Sequence, residues 1–430
     1  SAKRITVVAP FFPYARQDKK HQGREPISAR LVADLYKTAG ADRIMSVDLH
    51  SSQEQGFFDG PWDHLWAQPV LVDYIRGRID TANAAVVSPD PGFTTAGRRR
   101  RIRRYLAVTT CLVLLVAALW WATVLTGEHW YTPDQAVAVM LGRRVPGASF
   151  VIGELTLPRA ILGLLAGLAF GMSGTTSQTM LRNQLASPDV IGITSGASAA
   201  AVFAILVLDW SGMRVNLIAL GFGLATAAVI HLLSGSGSAQ GGRLILIGIG
   251  VSSMLSSVIA YLQLKASVYD VVDAMRWLSG SLSGASWDQV PLLGGSVLVL
   301  SAVLLGLGRD LRVLPLGEEA AVGLGVPVQR TRLALLLTMV ALASFATAVT
   351  GPIAFVAFLA GPIAARLIGR TDRTLLVPAA LTGAAIVLGG DLAGQHLFPT
   401  TLPVGVVTGI VGAPYLVLQL IRLNRQGASA

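Results

Sequence analysis

Polar residues that could bind metal or phosphate lie near the beginning of the chain. Residues 48–60 read DLHSSQEQGFFDG. This mixture of carboxylates, one histidine and glycines is typical of a metal- and phosphate-binding site in a soluble enzyme. Carboxylate oxygens and imidazole nitrogens are both common metal ligands. Residues 105–125, YLAVTTCLVLLVAALWWATVL, have the opposite character and are apolar enough to lie in lipid. The chain therefore has two unlike parts, and the sequence must show which of them carries the function of the protein.

The average composition is that of a membrane protein. Mean hydropathy is +0.60 and only 13% of the residues are charged, values too apolar for an ordinary soluble chain. The formal charge of +10 arises beyond residue 92, because residues 1–92 hold equal numbers of basic and acidic side chains. The excess lies in short loops rather than on a solvated face with aromatic residues, so no nucleic-acid binding is predicted. Cys111 is the only cysteine, which excludes an intrachain disulfide and a CxxC site.

Residues 1–92 alternate between strand-like and helix-like segments. Strands are predicted at 5–12, 43–49 and 84–90, and helices at 26–40 and 69–79, which is a βαβαβ pattern. Three strands and two helices form only part of a doubly wound sheet, with an edge and a face left uncovered. We therefore interpret residues 1–92 as a small, incomplete α/β segment.

Three stretches of this segment, between about residues 2 and 92, resemble the ribose-phosphate pyrophosphokinase family: FPYARQDKK, REPISARLVADL and DLHSSQEQGFFD. The resemblance implies that Arg16 and Gln17 contact ATP and that His50 helps to hold magnesium. The family's opening strands, catalytic lysine loop and ribose 5-phosphate loop have no counterpart here. Phosphoryl transfer requires both reactants to be held in line, so we expect a vestigial, inactive fragment. The alternative is a working enzyme or a regulatory nucleotide-binding module fused to a transporter.

The rest of the chain is predicted to be a polytopic membrane domain. A basic junction at 93–104, which contains RRRRIRR, precedes a domain at 105–430 with apolar blocks long enough to cross a bilayer. Continuous apolar blocks predict helices rather than barrel strands. About ten spans are predicted, at 105–126, 158–181, 190–208, 215–233, 244–264, 288–308, 332–350, 353–369, 375–394 and 403–421.

Lys and Arg residues in the loops predict the orientation. If RRRRIRR is cytoplasmic, the loops on that side carry most of the basic residues of the domain, and few remain outside. Both termini are then cytoplasmic, and the protein is a multi-pass protein of the cell membrane. A polyanion-binding patch is the alternative interpretation of the basic run, but the span that follows at once favours a topological role.

Ten spans are compatible with a channel, a secondary transporter, a membrane enzyme or the permease half of an ABC transporter. None of the lysines follows a glycine, so the chain lacks a GxxxxGK[ST] loop that would hold ATP. Any ATP-driven transport therefore requires a partner protein.

The second span and the loop after it narrow these alternatives. Gly163, Gly167 and Gly171 recur every four residues, a spacing that lets another helix approach closely. The stretch LPRAILGLLAGLAFGMSGTTSQTMLRNQLASPDVIG closely resembles the FecCD family of ABC permeases, which import ferric siderophores, haem and cobalamin. Gln184 replaces the proline usual in that pattern. The matching positions are Leu157, Pro158, Arg159, Gly174, Gln178, Arg182, Asn183, Leu185, Ala186, Pro188 and Gly192.

Later stretches agree with the same family in the same order. Residues 277–287 resemble its outer re-entrant segment, residues 314–328 its cytoplasmic coupling helices, and residues 351–367 and 402–420 its last spans. The usual Pro-His pair after GxIxFV is absent, and a Gly-Pro pair lies in its region. The resemblance covers about 105–425 and implies a mainly α, polytopic fold of the FecCD/BtuC type.

The coupling segment also has a physical interpretation. Two glutamates begin a short helix, where carboxylates favour the positive end of the helix dipole, and a glycine ends it. Ala320, Ala321 and Leu324 give an apolar face that can enter a groove on another protein. An ordinary solvated loop with a capped turn is the alternative. The residues predicted to couple the permease to a cytosolic ABC ATPase are Gly317, Glu318, Glu319, Ala320 and Gly325.

Arginines on the predicted outer side are candidates for docking an extracytoplasmic substrate-binding protein. Arg159 is the candidate that matches the family motif, and Arg276 is a second candidate. Anchoring to lipid headgroups is the competing interpretation for each of them.

Polar side chains within the predicted spans are few, chiefly Gln178, His231 and Asp391, and such residues are functional candidates by default. His231 and Asp391 lie near span ends, where solvation is the alternative. No predicted cluster chelates bare iron, so an already chelated metal complex suits the passage better.

The residues and the resemblance together predict a permease subunit that moves a ferric-siderophore-type chelate into the cytoplasm. It is expected to bind no cofactor and no metal itself, and to have no catalytic residues, since a separate ATPase subunit hydrolyses ATP. Its expected partners are that ATPase, a substrate-binding protein, a second permease subunit and membrane lipid.

Overall fold

The computed structural model describes residues 3–18, 26–76, 78, 95–127, 130–184, 186–188, 192–235, 240–369, 371 and 373–428. The chain forms two compact units, residues 1–94 with 416–430 and residues 95–415.

The first unit contains a small parallel sheet in the order β1-β2-β3. Its strands are β1 (Thr6–Ala9), β2 (Arg43–Val47) and β3 (Trp62–Leu65), and its helices are α1 (Ser28–Thr38), a 3₁₀ turn (Ser52–Phe57) and α2 (Gln68–Arg76). The first two predicted strands and both predicted helices are present. The predicted strand at 84–90 lies outside the described residues.

Strand β3 was not predicted, because its sequence WDHL shows little apolar alternation. Polar contacts hold β3 in the sheet as much as apolar burial does. Trp62 is buried and its indole Nε1 donates to Ser46 Oγ at 2.8 Å, while Arg43 Nε donates to Asp63 Oδ2 at 2.5 Å on the neighbouring strand. The hydrogen bond from Arg43 lowers the pKa of the Asp63 carboxyl.

The second unit consists of helices. They are α3 (Thr95–Leu125), α4 (Pro133–Met140), a π-helical turn (Val151–Thr156), α5 (Leu157–Leu181), α6 (Ile193–Leu206), α7 (Met213–Ser234), α8 (Gln240–Lys265), α9 (Val268–Leu278), a 3₁₀ turn (Trp287–Gln289), α10 (Val290–Gly306), α11 (Gly308–Val313), a 3₁₀ turn (Leu314–Leu316), α12 (Glu318–Gly323), α13 (Val328–Thr350), α14 (Val356–Ile368), α15 (Leu376–His396) and α16 (Val404–Ala428). The last helix continues into residues assigned to the first unit.

Seven helical segments among the described residues are long and apolar enough to cross a membrane. Three shorter apolar helices, Thr194–Leu206, Val356–Ile368 and Val404–Gln419, fall on the other three predicted spans. The described residues therefore contain several candidate membrane spans, whereas the predicted count of about ten is not confirmed. The seven segments are Arg99–Leu125, Val151–Leu181, Met213–Ser234, Leu246–Lys265, Trp287–Gly306, Val328–Thr350 and Leu376–His396.

Helix α5 is the central helix of this unit. It packs against α10, α13, α14 and α15, and its apolar side chains Leu162 and Phe170 are fully buried. Helix α8 is the contrast, because most of its apolar side chains are exposed. The position of α5 brings the motif-bearing segment into contact with most of the other long helices.

Candidate functional site

The glycines of α5 allow helix backbones to meet without side chains between them. A Cβ atom on Gly167 or Gly171 would overlap the backbone of α15, and one on Gly174 would overlap the carbonyl group of Ala357 in α14. The prediction of close helix packing is therefore confirmed at Gly167 and Gly171, whereas a Cβ atom on Gly163 would meet the side chains of Leu282 and Leu388 instead of a backbone. Gly174, a motif residue, belongs to this packing surface rather than to an open passage.

Gln178 joins α5 to α14 by a buried hydrogen bond. Its side chain is 8% exposed, and its Nε2 donates to the carbonyl oxygen of Phe358 at 2.9 Å. Its Oε1 faces Gly361, where a Cβ atom would collide with it. Phe355, just before α14, has a left-handed backbone with φ 64°, an uncommon conformation for a bulky residue. The Gly-Pro departure from the family pattern thus lies where α14 receives the Gln178 amide.

Arg182 ends α5 and joins it to the coupling region. The residue is in the left-handed region with φ 51°, and its Nη2 donates to the carbonyl oxygen of Leu314 at 2.7 Å. The backbone N–H of Asn183 returns to the carbonyl oxygen of Gln178 at 3.1 Å. This end of α5 therefore contacts the 3₁₀ turn that directly precedes α12.

The α5–α6 connection places the last motif residues. Pro188 is buried, and Gly192 begins α6 with φ 91°, where only glycine is free of strain. A Cβ atom on Gly192 would come within 2.9 Å of Ser252 Oγ. Leu185, another motif position, lies outside the described residues.

Helix α12 is shaped as predicted at both ends. Gly317 precedes it with φ 117°, and Gly325 follows it with φ 82°. The N–H of Gly325 donates to the carbonyl of Val322, and the N–H of Val326 donates to the carbonyl of Ala321, which is the Schellman pattern of helix termination. The side chains of Glu318 and Glu319 lie outside the described residues.

The apolar face predicted for α12 is divided between the interior and the surface. Ala321 is fully buried, whereas Ala320 and Leu324 are exposed. Two apolar side chains that the sequence did not single out, Leu316 and Val322, are exposed next to them. One side of the helix therefore anchors it to the unit, and the other presents apolar groups to the surroundings.

Arg159 forms a buried ion pair with Asp391, which links α5 to α15. Arg159 Nε donates to Asp391 Oδ2 and its Nη2 donates to Oδ1, both at 2.8 Å. Gln395 Nε2 donates to Oδ2 at 2.8 Å as well. Asp391 is 1% exposed and Arg159 is 22% exposed. The solvated alternative for Asp391 is therefore wrong, because helix packing covers the carboxylate and three donors satisfy it.

The two arginines predicted to dock a binding protein have different surroundings. Arg276 is exposed and its Nη1 lies 3.4 Å from Asp273 on the same helix. Arg159 already has a carboxylate partner, and its docking role stays a prediction.

His231 is partly buried, and its Nδ1 has no hydrogen-bond partner in the described structure.

In the first unit the predicted nucleotide and magnesium residues are exposed. Arg16, Gln17 and His50 all lie at the surface. Across the described part of the chain, no group of three His, Cys, Asp or Glu side chains is placed to hold a metal ion. The nucleotide- and magnesium-binding roles of Arg16, Gln17 and His50 stay predictions.

Glu54 and His64 are two further titratable groups of this segment with buried or hydrogen-bonded side chains, and the sequence did not single them out. Burial raises the pKa of Glu54, although its Oε1 accepts from the Ser51 N–H at 3.1 Å. His64 Nε2 accepts from the N–H of Leu49 at 3.0 Å.

Comparison with known proteins decides the family. The profile described as the FecCD transport family matches residues 113–422. The chain belongs to the FecCD transport family. The ferric enterobactin transport system permease protein FepG of Escherichia coli (strain K12) is 38% identical over 331 residues, which cover 76% of this chain and 98% of FepG. The family is one of transporters rather than enzymes, and the long apolar helices of this chain fit a multi-pass membrane permease.

A solved structure supports the fold. It is described as an inward-facing conformation of a metal-chelate type ABC transporter, and it is 26% identical with a TM-score of 0.66, over 74% of this chain and 99% of that one. The predicted permease architecture is thereby confirmed in its coarse form, as an ABC permease fold.

The first unit has a different relative. The N-terminal domain of ribose phosphate pyrophosphokinase matches residues 1–40. The ribose-phosphate pyrophosphokinase of Corynebacterium efficiens is 71% identical over 92 residues, which are 21% of this chain and 28% of that enzyme. The predicted resemblance is confirmed, and it covers little more than a quarter of the enzyme.

Sequence reasoning missed several residues of the site. Gln395 follows Asp391 by four positions, the spacing of neighbours on one helix face, and that signal could have identified it as a partner. Nothing in the sequence indicated that Phe355 would adopt a left-handed backbone.

Proposed function

We propose that this FecCD family member is the permease subunit of an ABC importer that moves ferric-siderophore-type chelates into the cytoplasm. The observation that carries the proposal is the match of the family profile to residues 113–422, together with iron-chelate permeases among its relatives. Among the described residues no cluster is placed to hold a bare metal ion, which favours a cargo whose metal is already chelated.

A separate ATPase subunit drives the transport in this proposal, and it docks on α12. The exposed apolar side chains Leu316, Val322 and Leu324 surround this helix, and buried Ala321 fixes it to the unit. Arg182 connects the turn before α12 to the end of α5 through Leu314. Movement of α12 would therefore act directly on the central helix.

The proposal also includes ten spans, cytoplasmic termini, a second permease subunit and an extracytoplasmic binding protein. Helix α8 supports the second subunit, because it exposes Leu246, Met254 and Leu264 along one apolar helix. Membrane lipid covers such a surface where the second subunit does not. Arg276 is exposed at the end of α9, 3.4 Å from Asp273 on the same helix, and in this proposal it exchanges that partner for a carboxylate of the binding protein.

The alternative of a fused nucleotide-binding module is not favoured. The enzyme resemblance covers 28% of the relative, and its three predicted contact residues are exposed without bringing a metal-binding group together. We propose that residues 1–92 are a remnant without catalytic function.

The ATPase-docking step is tested by Val322→Asp combined with Leu324→Asp. We expect the variant to insert normally but to lose co-purification with the ATPase and uptake of radioactive ferric chelate, because a charged surface replaces the apolar one. Leu141→Asp is the control, since Leu141, directly after α4, is an apolar side chain at least as exposed as Val322 and Leu324. It should still co-purify with the ATPase. Full co-purification of the double variant would refute docking on α12.

A further inference from the structure

A cleft lies away from α12, between the end of α6, the start of α7, helix α9 and residues 281–289. We call it the α6–α9 cleft. Its volume is about 330 Å³, within the range of small-molecule sites. All of its lining residues belong to the membrane unit.

The α6–α9 cleft is acidic. Three carboxylates, Asp209, Asp270 and Asp273, and one guanidinium, Arg276, line it, which leaves a formal charge of −2. Two of the carboxylates already have partners, because Asp270 accepts from Ser267 Oγ at 2.7 Å and Asp273 lies 3.4 Å from Arg276. The structure gives Asp209 no hydrogen bond or ion pair among the described residues. One carboxylate is therefore available to a ligand.

An unsatisfied buried amide supplies a second, independent observation. Asn216 lines the same cleft and is 4% exposed, yet its Nδ2 has no hydrogen-bond partner in the described structure. A buried N–H donor without a partner destabilises the folded state, because it has lost its hydrogen bond to water. A ligand oxygen in the cleft would remove that cost.

The aromatic residues of the cleft favour an organic cation as its ligand. Trp210 and Trp277 both line it, and indole faces attract organic cations. A metal ion is a poor candidate, because no group of three metal-ligating side chains is assembled within the described residues. An organic cation needs only a carboxylate and an aromatic surface.

We propose that the α6–α9 cleft binds a primary ammonium compound with an acceptor oxygen on the neighbouring carbon, of which ethanolamine is the simplest. The ammonium group pairs with Asp209 beside the tryptophans, and the oxygen accepts from Asn216 Nδ2. Two sources share this chemistry, a free amine and the headgroup of phosphatidylethanolamine. The proposal does not depend on which cargo the permease carries.

Isothermal titration of the purified full chain in detergent with ethanolamine tests the proposal. We expect saturable binding, and no binding of ethylene glycol, which has the same size without the charge. Asp209→Asn should weaken binding about tenfold or more, since a hydrogen bond to a charged group contributes about 1.5–3 kcal/mol. Asparagine also tolerates the left-handed backbone of Asp209, φ 53°. Asn216→Leu should weaken binding as well.

Asp288→Asn is the matched control, because Asp288 is exposed and close to the cleft in sequence but does not line it. Its affinity for ethanolamine should be unchanged. Equal affinity of Asp209→Asn and the unmodified chain, equal binding of ethylene glycol, or no ethanolamine binding would each overturn the proposal. Titration in nanodiscs then identifies the source. Weaker binding with phosphatidylethanolamine than with phosphatidylglycerol assigns the site to the lipid headgroup, and equal binding assigns it to a free amine.

Discussion

The motif residues of the membrane unit and those of the first unit differ in what surrounds them. Gln178, Arg182 and Arg159 each make a hydrogen bond or ion pair to a residue more than a hundred positions away in sequence. Arg16 and His50 lie at the surface, and neither takes part in an assembled metal-binding group among the described residues. Both units resemble known families, but only in the membrane unit do these motif side chains connect distant parts of the fold.

This difference has an energetic basis. A polar group that helices bury must have a partner, because leaving it without one costs free energy. The motif polar groups of the membrane unit are therefore tied to particular neighbours, and substituting them should disturb the structure. An exposed residue whose ligand-binding partners are not assembled can be replaced at little cost.

The largest effect is expected at the buried ion pair. Asp391→Leu leaves Arg159 without its carboxylate, which typically costs about 3–5 kcal/mol. We expect a large loss of thermal stability in detergent. The double variant Arg159→Met with Asp391→Leu should recover most of it, because an apolar pair avoids the unpaired charge. A single Asp391→Leu variant as stable as the unmodified chain would show that the pair does not hold α5 to α15.

A smaller effect on thermal stability is expected from substituting the packed glycine Gly174, with the open glycine Gly221 as its control. Gly174→Ala places a methyl group against the carbonyl of Ala357, whereas Gly221→Ala in α7 meets no atom within 4 Å. Overpacking of this kind costs about 1–3 kcal/mol, while alanine in an open helix position gains up to about 1 kcal/mol over glycine. Thermal unfolding of the two variants should therefore shift in opposite directions. Equal shifts would contradict the close contact of α5 with α14.

The smallest effect is expected in the first unit, at Glu54. Because burial raises the pKa of Glu54, the folded state binds its proton more tightly than the unfolded state. The stability that this proton gives is present at low pH and is lost as pH rises from the ordinary value near 4.3. Glu54→Gln should therefore slow amide exchange in β2 at pH 7, by less than about tenfold, and change it little at pH 4. Faster exchange of the variant at pH 7 would reverse this interpretation.

Apolar pattern alone located the long helices of the membrane unit, since each predicted block falls on an apolar helix, but it did not predict the short helices α4 and α9. It could not give their lengths. The block predicted at 353–369 becomes α14, which begins only at Val356, because Gly351 and Phe355 take backbone conformations with positive φ. Such conformations depend on tertiary contacts rather than on the residue's own preference.

The sequence was less informative about partners across the fold. Arg159 was identified from its motif, but its pairing with Asp391, 232 positions later, depends on the packing of α5 against α15. In the first unit β3 was missed because Trp62 and Asp63 are stabilised by Ser46 and Arg43 of another strand. Local pattern does not contain such long-range contacts.

The central claim is that function belongs to the membrane unit and that residues 1–92 do not contribute. The most direct test is the rate of ferric-chelate uptake by a chain lacking residues 1–92, compared per inserted molecule with the full chain in cells that supply the ATPase and the binding protein. We predict equal rates, and His50→Ala in the full chain should also leave uptake unchanged. Loss of uptake by a shortened chain that still inserts and assembles with its ATPase would contradict the claim.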